Sequence, residues 1–236
     1  MDFKSALIAA ATLTASVSAM ATPVTYFDTI SAGQTQFNNT VTAAGATVNY
    51  LTLTGLSSGN SWDLGPFAIT TTDGANSPVY GPAQNNSTGQ MIGIDPQNPA
   101  PLSGITFTFD SAVNGLGFEV GDWGTCCTPS SLYIAFDGGS TNLVGTAFSY
   151  NDNPTVAAGG SYGNDTIFIG AIDDASTFTS VTFYGDGFGE FLTAGGTILW
   201  ANVDIGSVSN GVPEPSLLAL LGLGLAGVGF SRRKRA

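Results

Sequence analysis

Carboxylates are the side chains best suited to do chemistry in this sequence, and they have no basic partners nearby. Fifteen of the 17 acidic residues lie within residues 22–211, whereas the five basic residues are Lys4 and four residues at positions 232–235. The chain contains no histidine. Catalysis by Ser-His-Asp or Cys-His sites and zinc binding by histidine are therefore excluded. Nucleic-acid binding is excluded as well, because it depends on Lys and Arg neutralising phosphates.

A pair of carboxylates, as in glycosidases, is the one hydrolytic arrangement that this composition allows. Most of the acids, however, lie in dipeptides typical of turns, such as Asp73-Gly74, Asp95-Pro96, Asp137-Gly138 and Asp186-Gly187. Turn formation explains these positions without a reaction. We therefore expect no catalytic activity and keep a carboxylate-pair glycosidase as the remote alternative.

Cys126 and Cys127 are adjacent and are the only cysteines of the chain. Neighbouring Cα atoms lie about 3.8 Å apart, below the roughly 4.4–6.8 Å usual for a disulfide, so a bond between the two would be strained. An oxidising compartment disfavours reduced thiols. A vicinal disulfide is the favoured prediction, with intermolecular pairing and reduced thiols as alternatives.

Aromatic rings offer a second kind of chemistry, since an exposed ring can stack on the face of a sugar. Trp62 and Trp123 are the main candidates for sugar stacking, and Tyr80 and Trp200 are further ones. The same rings can instead pack inside a core. Two classes of function therefore stay open, a carbohydrate-binding module of jelly-roll type and a structural surface protein without a discrete site.

Short strands, with almost no helix, must carry these residues. Nine segments have the composition or alternation of strands: residues 48–54, 67–72, 104–110, 115–120, 131–136, 142–150, 166–169, 177–184 and 197–205. The clearest alternation sets Ile105, Phe107 and Phe109 against Thr106 and Thr108, and a similar pattern over 197–205 predicts one core-facing side there.

The spacing of these segments predicts one domain over residues 22–211. We expect an all-β fold, a two-sheet antiparallel β-sandwich, in which Asn114-Gly115 makes a tight turn between two strands. A jelly-roll-like arrangement is favoured over an immunoglobulin-like one because the Cys and Trp spacing of the latter is missing. An N-terminal signal helix and a C-terminal transmembrane helix would flank the sandwich.

Residues 212–236 form a tail with three parts. First come Pro213, Glu214 and Pro215, which the prolines hold extended. An uncharged apolar run over 217–230 follows, and as a helix it would span about 21 Å of a hydrocarbon core about 30 Å thick. The tail ends with the basic cluster of Arg232, Arg233, Lys234 and Arg235. Because basic residues stay on the cytoplasmic side, the preceding domain would lie outside the cytoplasm.

Residues 1–21 have the features of a secretory signal peptide. Lys4 supplies the positive start, residues 6–17 the apolar core, and Ala19 and Ala21 the small residues of a cleavage site. Export through the Sec machinery and cleavage by signal peptidase after Ala21 are the predictions.

The order of Pro-Glu-Pro, short apolar helix and basic end resembles the PEP-CTERM sorting signal of Gram-negative bacteria. This resemblance implies recognition of Pro213, Glu214 and Pro215 by a membrane-embedded exosortase. It also implies a membrane-anchored precursor, exported across the inner membrane and then displayed at the cell surface or released. Residues 105–120, 132–139 and 178–185 are similar, more weakly, to the β-sandwich ectodomains of such proteins and to lectin-like jelly rolls.

Calcium is the cofactor that the acidic composition favours, because hard oxygen ligands are abundant and a divalent cation would offset the negative charge. In a jelly roll, a calcium site joining the first and last strands would use Asp28 and Asp204. Together these features predict an exported surface or biofilm-matrix protein that interacts with extracellular polysaccharide.

Overall fold

Residues 23–94, 100–186 and 191–208 are described by a computed structural model, and over these ranges the chain forms thirteen strands and three α-helices. The strands are β1 (Val24–Thr29), β2 (Asn49–Thr52), β3 (Ser61–Asp63), β4 (Phe67–Thr71), β5 (Val79–Tyr80), β6 (Met91–Ile94), β7 (Gly104–Val113), β8 (Gly115–Gly121), β9 (Ser130–Phe136), β10 (Thr141–Ala147), β11 (Ile167–Ile172), β12 (Phe178–Gly185) and β13 (Leu192–Ala201). The helices are α1 (Ile30–Ala43), α2 (Pro82–Asn85) and α3 (Pro154–Ala157).

The strands pair into two antiparallel sheets. The seven-stranded sheet has the order β1-β11-β8-β13-β6-β5, with β2 also paired to β13, and the six-stranded sheet has the order β10-β9-β12-β7-β4-β3. From β7 onwards most connections cross from one sheet to the other, as in a jelly roll. The predicted two-sheet antiparallel sandwich is confirmed.

The main core lies between the two sheets. Phe118 of the seven-stranded sheet has its ring centroid 5.0 Å from that of Phe107 and 5.1 Å from that of Phe183, both of the six-stranded sheet. The neighbours Thr106 and Thr108 of β7 are only partly buried or exposed. The predicted alternation of β7 is therefore confirmed, and it leaves a row of hydroxyls on the outside of the six-stranded sheet.

Helix α1 packs on the outer face of the seven-stranded sheet, and it is an element that the strand pattern did not predict in a fold that is otherwise mostly β. Gly33, Phe37 and Val41 are its buried residues, and they lie four apart, on one side of the helix. The ring of Phe37 meets Tyr26 of β1 at 5.6 Å and Phe168 of β11 at 6.1 Å between centroids. Contact with the sheet stabilises this helix, whose Asn and Thr residues are weak helix formers.

Strand β13 is also buried on both sides. Ile198 packs in the inter-sheet core, whereas Leu199 and Ala201 belong to the second apolar cluster, which includes Phe37 and Val41 of α1. The alternation over residues 197–205 therefore does not mark one core-facing side, because this second cluster buries the other side too.

Each of the nine predicted segments overlaps a strand, but Asn114-Gly115 is not a hairpin turn. Asn114 joins β7 of one sheet to β8 of the other and is fully buried. Its side-chain amide donates to the carbonyl oxygen of Val203 and accepts from the Val203 amide, both at 2.7 Å. The dipeptide is a corner between sheets, held by the segment that follows β13.

The predicted signal peptide and sorting tail lie outside the described residues. This applies to Ala19 and Ala21 and to all the named tail residues, from Pro213 to Arg235. Over residues 23–94, 100–186 and 191–208, no helix combines the length and the apolar character needed to cross a membrane.

Candidate ligand-binding groove

A groove with a volume of about 520 Å³ lies on the outer face of the six-stranded sheet. Five neighbouring strands supply its floor, in the order Thr70 of β4, Thr106 of β7, Thr182 of β12, Ala135 of β9 and Thr141 of β10. This order is also the pairing register, because each of these residues is the direct partner of the next. The floor is thus one straight row across the strands.

Walls flank the row on both sides. Tyr184 pairs with Gly104, two residues after Leu102, so Leu102 and Tyr184 lie on one side of the row together with Pro101. The turn after β9, with Gly138 and Gly139, forms the other wall. Leu102 is 44% exposed, so this wall offers an apolar side chain to a ligand.

Hydrogen bonds hold the floor and the tyrosine wall in place. The hydroxyl oxygens of Thr106 and Thr182 lie 3.0 Å apart, and those of Thr141 and Tyr184 lie 2.5 Å apart. Behind the wall, the rings of Tyr133 and Tyr184 stack with centroids 5.5 Å apart and an interplanar angle of 27°. The hydroxyls are therefore positioned before any ligand arrives.

The local sequence explains why these side chains point outwards. In β12, Val181 and Phe183 enter the core, so Thr182 and Tyr184 take the opposite face. In β9, Leu132 and Ile134 enter the core, which leaves Tyr133 outside. This alternation was available in the sequence as a signal for the two tyrosines, but the adjacency of β12, β9 and β10 was not.

Among the described residues that line the groove, none is an Asp or Glu, and Tyr184 is the only titratable one. Residues 22–211 contain no Lys, Arg or His that could pair with an anionic ligand. The arrangement therefore suits a neutral ligand rich in hydrogen-bonding groups.

Trp62 and Trp123, predicted to stack on sugars, are both buried, with exposed fractions of 7% and 0%. Trp62 faces the core from β3 and donates its Nε1 hydrogen to the carbonyl oxygen of Ser57 at 2.8 Å. The Trp123 ring lies edge-on to Phe27, at 4.9 Å between centroids. Burial overturns the prediction that these rings are exposed for stacking. Of the further candidates, Trp200 packs partly buried on the main core.

Asp28 and Asp204 do not come together. Strand β1 is separated from β13 by β11 and β8, and Asp28 lies level with Gly195 near one end of β13, whereas Asp204 follows the other end. The Asp28 carboxylate instead accepts hydrogen bonds from the Thr29 amide at 2.7 Å and the Gln36 side chain at 2.8 Å. The predicted pairing of these two residues on calcium is wrong, because the first and last strands are not neighbours.

Calcium binding elsewhere stays a prediction. Among the described residues, no three acidic or cysteine side chains gather as metal ligands. Cys126 and Cys127 are both exposed, and Cys127 has a φ of 53°. The vicinal disulfide also stays a prediction.

Two acidic clusters outside the groove have structural partners. Burial raises the pKa of Glu119, opposed by hydrogen bonds from the Thr88 hydroxyl, the Thr88 amide and the Thr197 amide, which lower it. Burial likewise raises the pKa of Asp122, the Thr125 hydroxyl lowers it, and the charge of Asp165 raises it further. Asp165 accepts from the Asp122 amide at 3.1 Å. These acids tie loops to strands, and neither cluster lines the groove.

Fold and groove together define a β-sandwich with an uncharged surface groove, and the tail adds a known sorting signal. Residues 211–235 match the family model described as the PEP-CTERM protein-sorting motif. The predicted PEP-CTERM signal is therefore confirmed. Such a signal implies an exported protein that an exosortase processes, with membrane-anchored sorting in a Gram-negative bacterium.

Solved structures similar to this chain include mutants of a family 29 carbohydrate binding module. One has a TM-score of 0.35 and 14% identity, covering 68% of this chain and 95% of its own. A second has a TM-score of 0.35 and 12% identity, covering 71% and 100%. A third, complexed with mannohexaose, has a TM-score of 0.30 and 13% identity, covering 68% and 94%. No curated protein matches the sequence. Likenesses this weak carry no argument about what the chain binds.

Proposed function

We propose that this exported, exosortase-sorted protein works at the cell surface or in the extracellular matrix, where its sandwich binds a neutral polysaccharide without catalysing a reaction. The groove on the six-stranded sheet carries this proposal, since it combines a floor of threonine hydroxyls with the exposed side chain of Leu102 as an apolar wall, and no charged residue stands among the described residues that line it. Sugars present hydroxyls along their edges and apolar C–H groups on their faces, which match such a floor and wall.

Charge supports a neutral polysaccharide over an acidic one. Residues 22–211 carry fifteen acidic residues and no basic one, so a chain of uronic acids would be repelled and would find no cationic partner. None of the described residues that line the groove supplies the carboxylate pair of a glycosidase, which supports binding without hydrolysis.

The test is affinity electrophoresis of the full chain through gels that contain a neutral glucan, a neutral mannan or polygalacturonate. We expect retardation by a neutral polymer and none by polygalacturonate. Tyr184→Ala removes the side chain that borders the row and holds the Thr141 hydroxyl, and it should weaken binding roughly three- to tenfold. Tyr184→Phe keeps the ring and loses only the hydroxyl bonded to Thr141, so it separates a loss of binding from a folding defect.

Tyr50→Ala is the matched control, because Tyr50 is 72% exposed and lies on β2 of the other sheet. It should leave retardation unchanged. Equal loss in Tyr50→Ala and Tyr184→Ala, or retardation by polygalacturonate alone, would contradict the proposal.

A further inference from the structure

The floor of the groove repeats one position per strand across five strands. Thr70, Thr106, Thr182, Ala135 and Thr141 are in direct register, and all five line the groove. Adjacent strands lie about 4.8 Å apart, so the row extends over about 19 Å from β4 to β10. The groove is therefore long in the direction across the strands.

Four of these five positions carry a hydroxyl, and the exception is Ala135 of β9, which is buried. Leu102 flanks the row, whereas the side chain of Tyr184 reaches from β12 across β9 to bond Thr141 of β10. A ligand that contacts the whole row must itself be extended and must present hydroxyl groups at intervals close to the strand spacing. A single sugar ring reaches only part of the row.

Building on the proposed function, we infer that the groove binds the interior of a linear neutral glycan lying across the strands. Consecutive sugars contact the threonine hydroxyls of β4, β7 and β12, pass over the Tyr184 side chain at β9, and reach the hydroxyl of Thr141 on β10. The row specifies the ligand by length and straightness, and binding does not require a chain end. A linear glucan or mannan segment fits this description, whereas a monosaccharide or a densely branched glycan does not.

Length dependence tests this inference. Binding of the full chain to linear gluco- and manno-oligosaccharides of one to eight sugars is measured by isothermal titration calorimetry. We expect no saturable binding of the monosaccharide, then a gain of roughly two- to tenfold for each added sugar, as each adds a hydrogen bond. The gain should stop at about four or five sugars, when the row of about 19 Å is filled. Oligosaccharides reduced at the terminal sugar should bind equally well.

Two valine variants locate the ligand on the row. Thr70→Val removes the hydroxyl at the β4 end and should weaken only the longest oligosaccharides, so that the plateau comes about one sugar earlier. Thr182→Val removes a central hydroxyl and should weaken all of those long enough to bind. Thr108→Val is the matched control, because Thr108 is an exposed β7 residue outside the groove lining.

Each outcome has a distinct meaning. Equal affinity for one sugar and for six, sensitive to Tyr184→Ala, would overturn the extended site and leave neutral sugar binding intact. Loss of binding on terminal reduction would show recognition of a chain end and would also overturn the inference. Failure of every neutral polymer and oligosaccharide to bind would overturn both this inference and the proposed function.

Discussion

The outer faces of the two sheets differ in that one is covered by a helix and the other is open. On the seven-stranded sheet, helix α1 packs against Phe168, and Leu199 and Ala201 are buried in the same apolar cluster, so strands there are apolar on both sides. On the six-stranded sheet the outer face stays open and carries the threonine row and the tyrosine wall. One face therefore contributes to stability and the other is available for binding.

Small residues decide which face can be covered. In β8 the inward residues are Leu116, Phe118 and Val120, and the alternate positions include Gly115 and Gly117. A Cβ atom at Gly115 would lie 3.3 Å from Cζ of Phe37 in α1, and at Gly117 any side chain would collide with the ring of Phe168 from the neighbouring strand β11, on which α1 packs. Glycines of β8 thus let a third layer approach the sheet. The threonines of the six-stranded sheet project instead and keep their hydroxyls available.

Removing the ring at the centre of the covered face should have the largest effect. Phe37 is fully buried between Tyr26 and Phe168, so Phe37→Ala should lower the free energy of unfolding by about 3–5 kcal/mol. Urea denaturation measures this loss. Asn39→Ala, on the exposed side of α1, should change stability by less than about 0.5 kcal/mol. Sugar binding by the folded Phe37→Ala protein should be unchanged, and a loss of binding would show that the two faces are coupled.

A smaller effect is expected where α1 comes closest to the sheet. A Cβ atom at Gly33 would lie 2.6 Å from Cδ1 of the buried Phe168 ring. Gly33→Ala should therefore destabilise the fold by about 1–3 kcal/mol, which exceeds the gain of up to about 1 kcal/mol usual for this change in a helix. Thermal unfolding beside Thr35→Ala, an exposed helix position, provides the comparison. A rise in melting temperature for Gly33→Ala would mean that α1 is not packed this closely.

The smallest effect concerns how the stability of the fold depends on pH through Glu119. This residue lies on β8 of the seven-stranded sheet, beneath the segment that contains Thr88. Because its pKa is raised in the folded state, folding takes up protons there. Its contribution to stability is greatest below the ordinary value of 4.5 and is lost as pH rises through the raised pKa. Glu119→Gln should remove this fall in stability with pH, at a cost of about 1 kcal/mol because an amide N–H would face backbone donors. Urea denaturation between pH 4 and pH 8 provides the measurement.

Thr88→Val is the matched comparison at this site. It removes a hydroxyl that lowers the pKa of Glu119, so the fall in stability with rising pH should become larger. An unchanged pH profile in both variants would show that Glu119 does not titrate differently in the folded and unfolded chains.

Much of the fold was predictable because alternation is a local property. Phe107 and Phe109 alternate with Thr106 and Thr108, and this pattern alone assigns β7 its core side and its open side. Helix α1 was not predictable in the same way, since its buried residues Gly33, Phe37 and Val41 form a weak pattern that only the sheet beneath stabilises.

The candidate site, like the fold, was predictable only where it depends on local alternation. The outward direction of Thr182 and Tyr184 follows from β12 alone, but their place beside Thr106 and Thr141 depends on the order β10-β9-β12-β7. The burial of Trp62 and Trp123 likewise depends on which strands and loops surround them. The presence of a tryptophan in the sequence therefore did not predict whether its ring is exposed.

By itself, the sequence determined that the protein carries a sorting signal for export and that its sandwich has no cationic side chain. The sorting signal at residues 211–235 is contiguous, and the absence of Lys, Arg and His from residues 22–211 is a matter of composition. Only the tertiary structure decided which side chains form the candidate groove. Strand order arises from pairing between residues far apart in the chain. Such pairing places Thr70, Thr106 and Thr182 in one row and leaves Asp28 distant from Asp204.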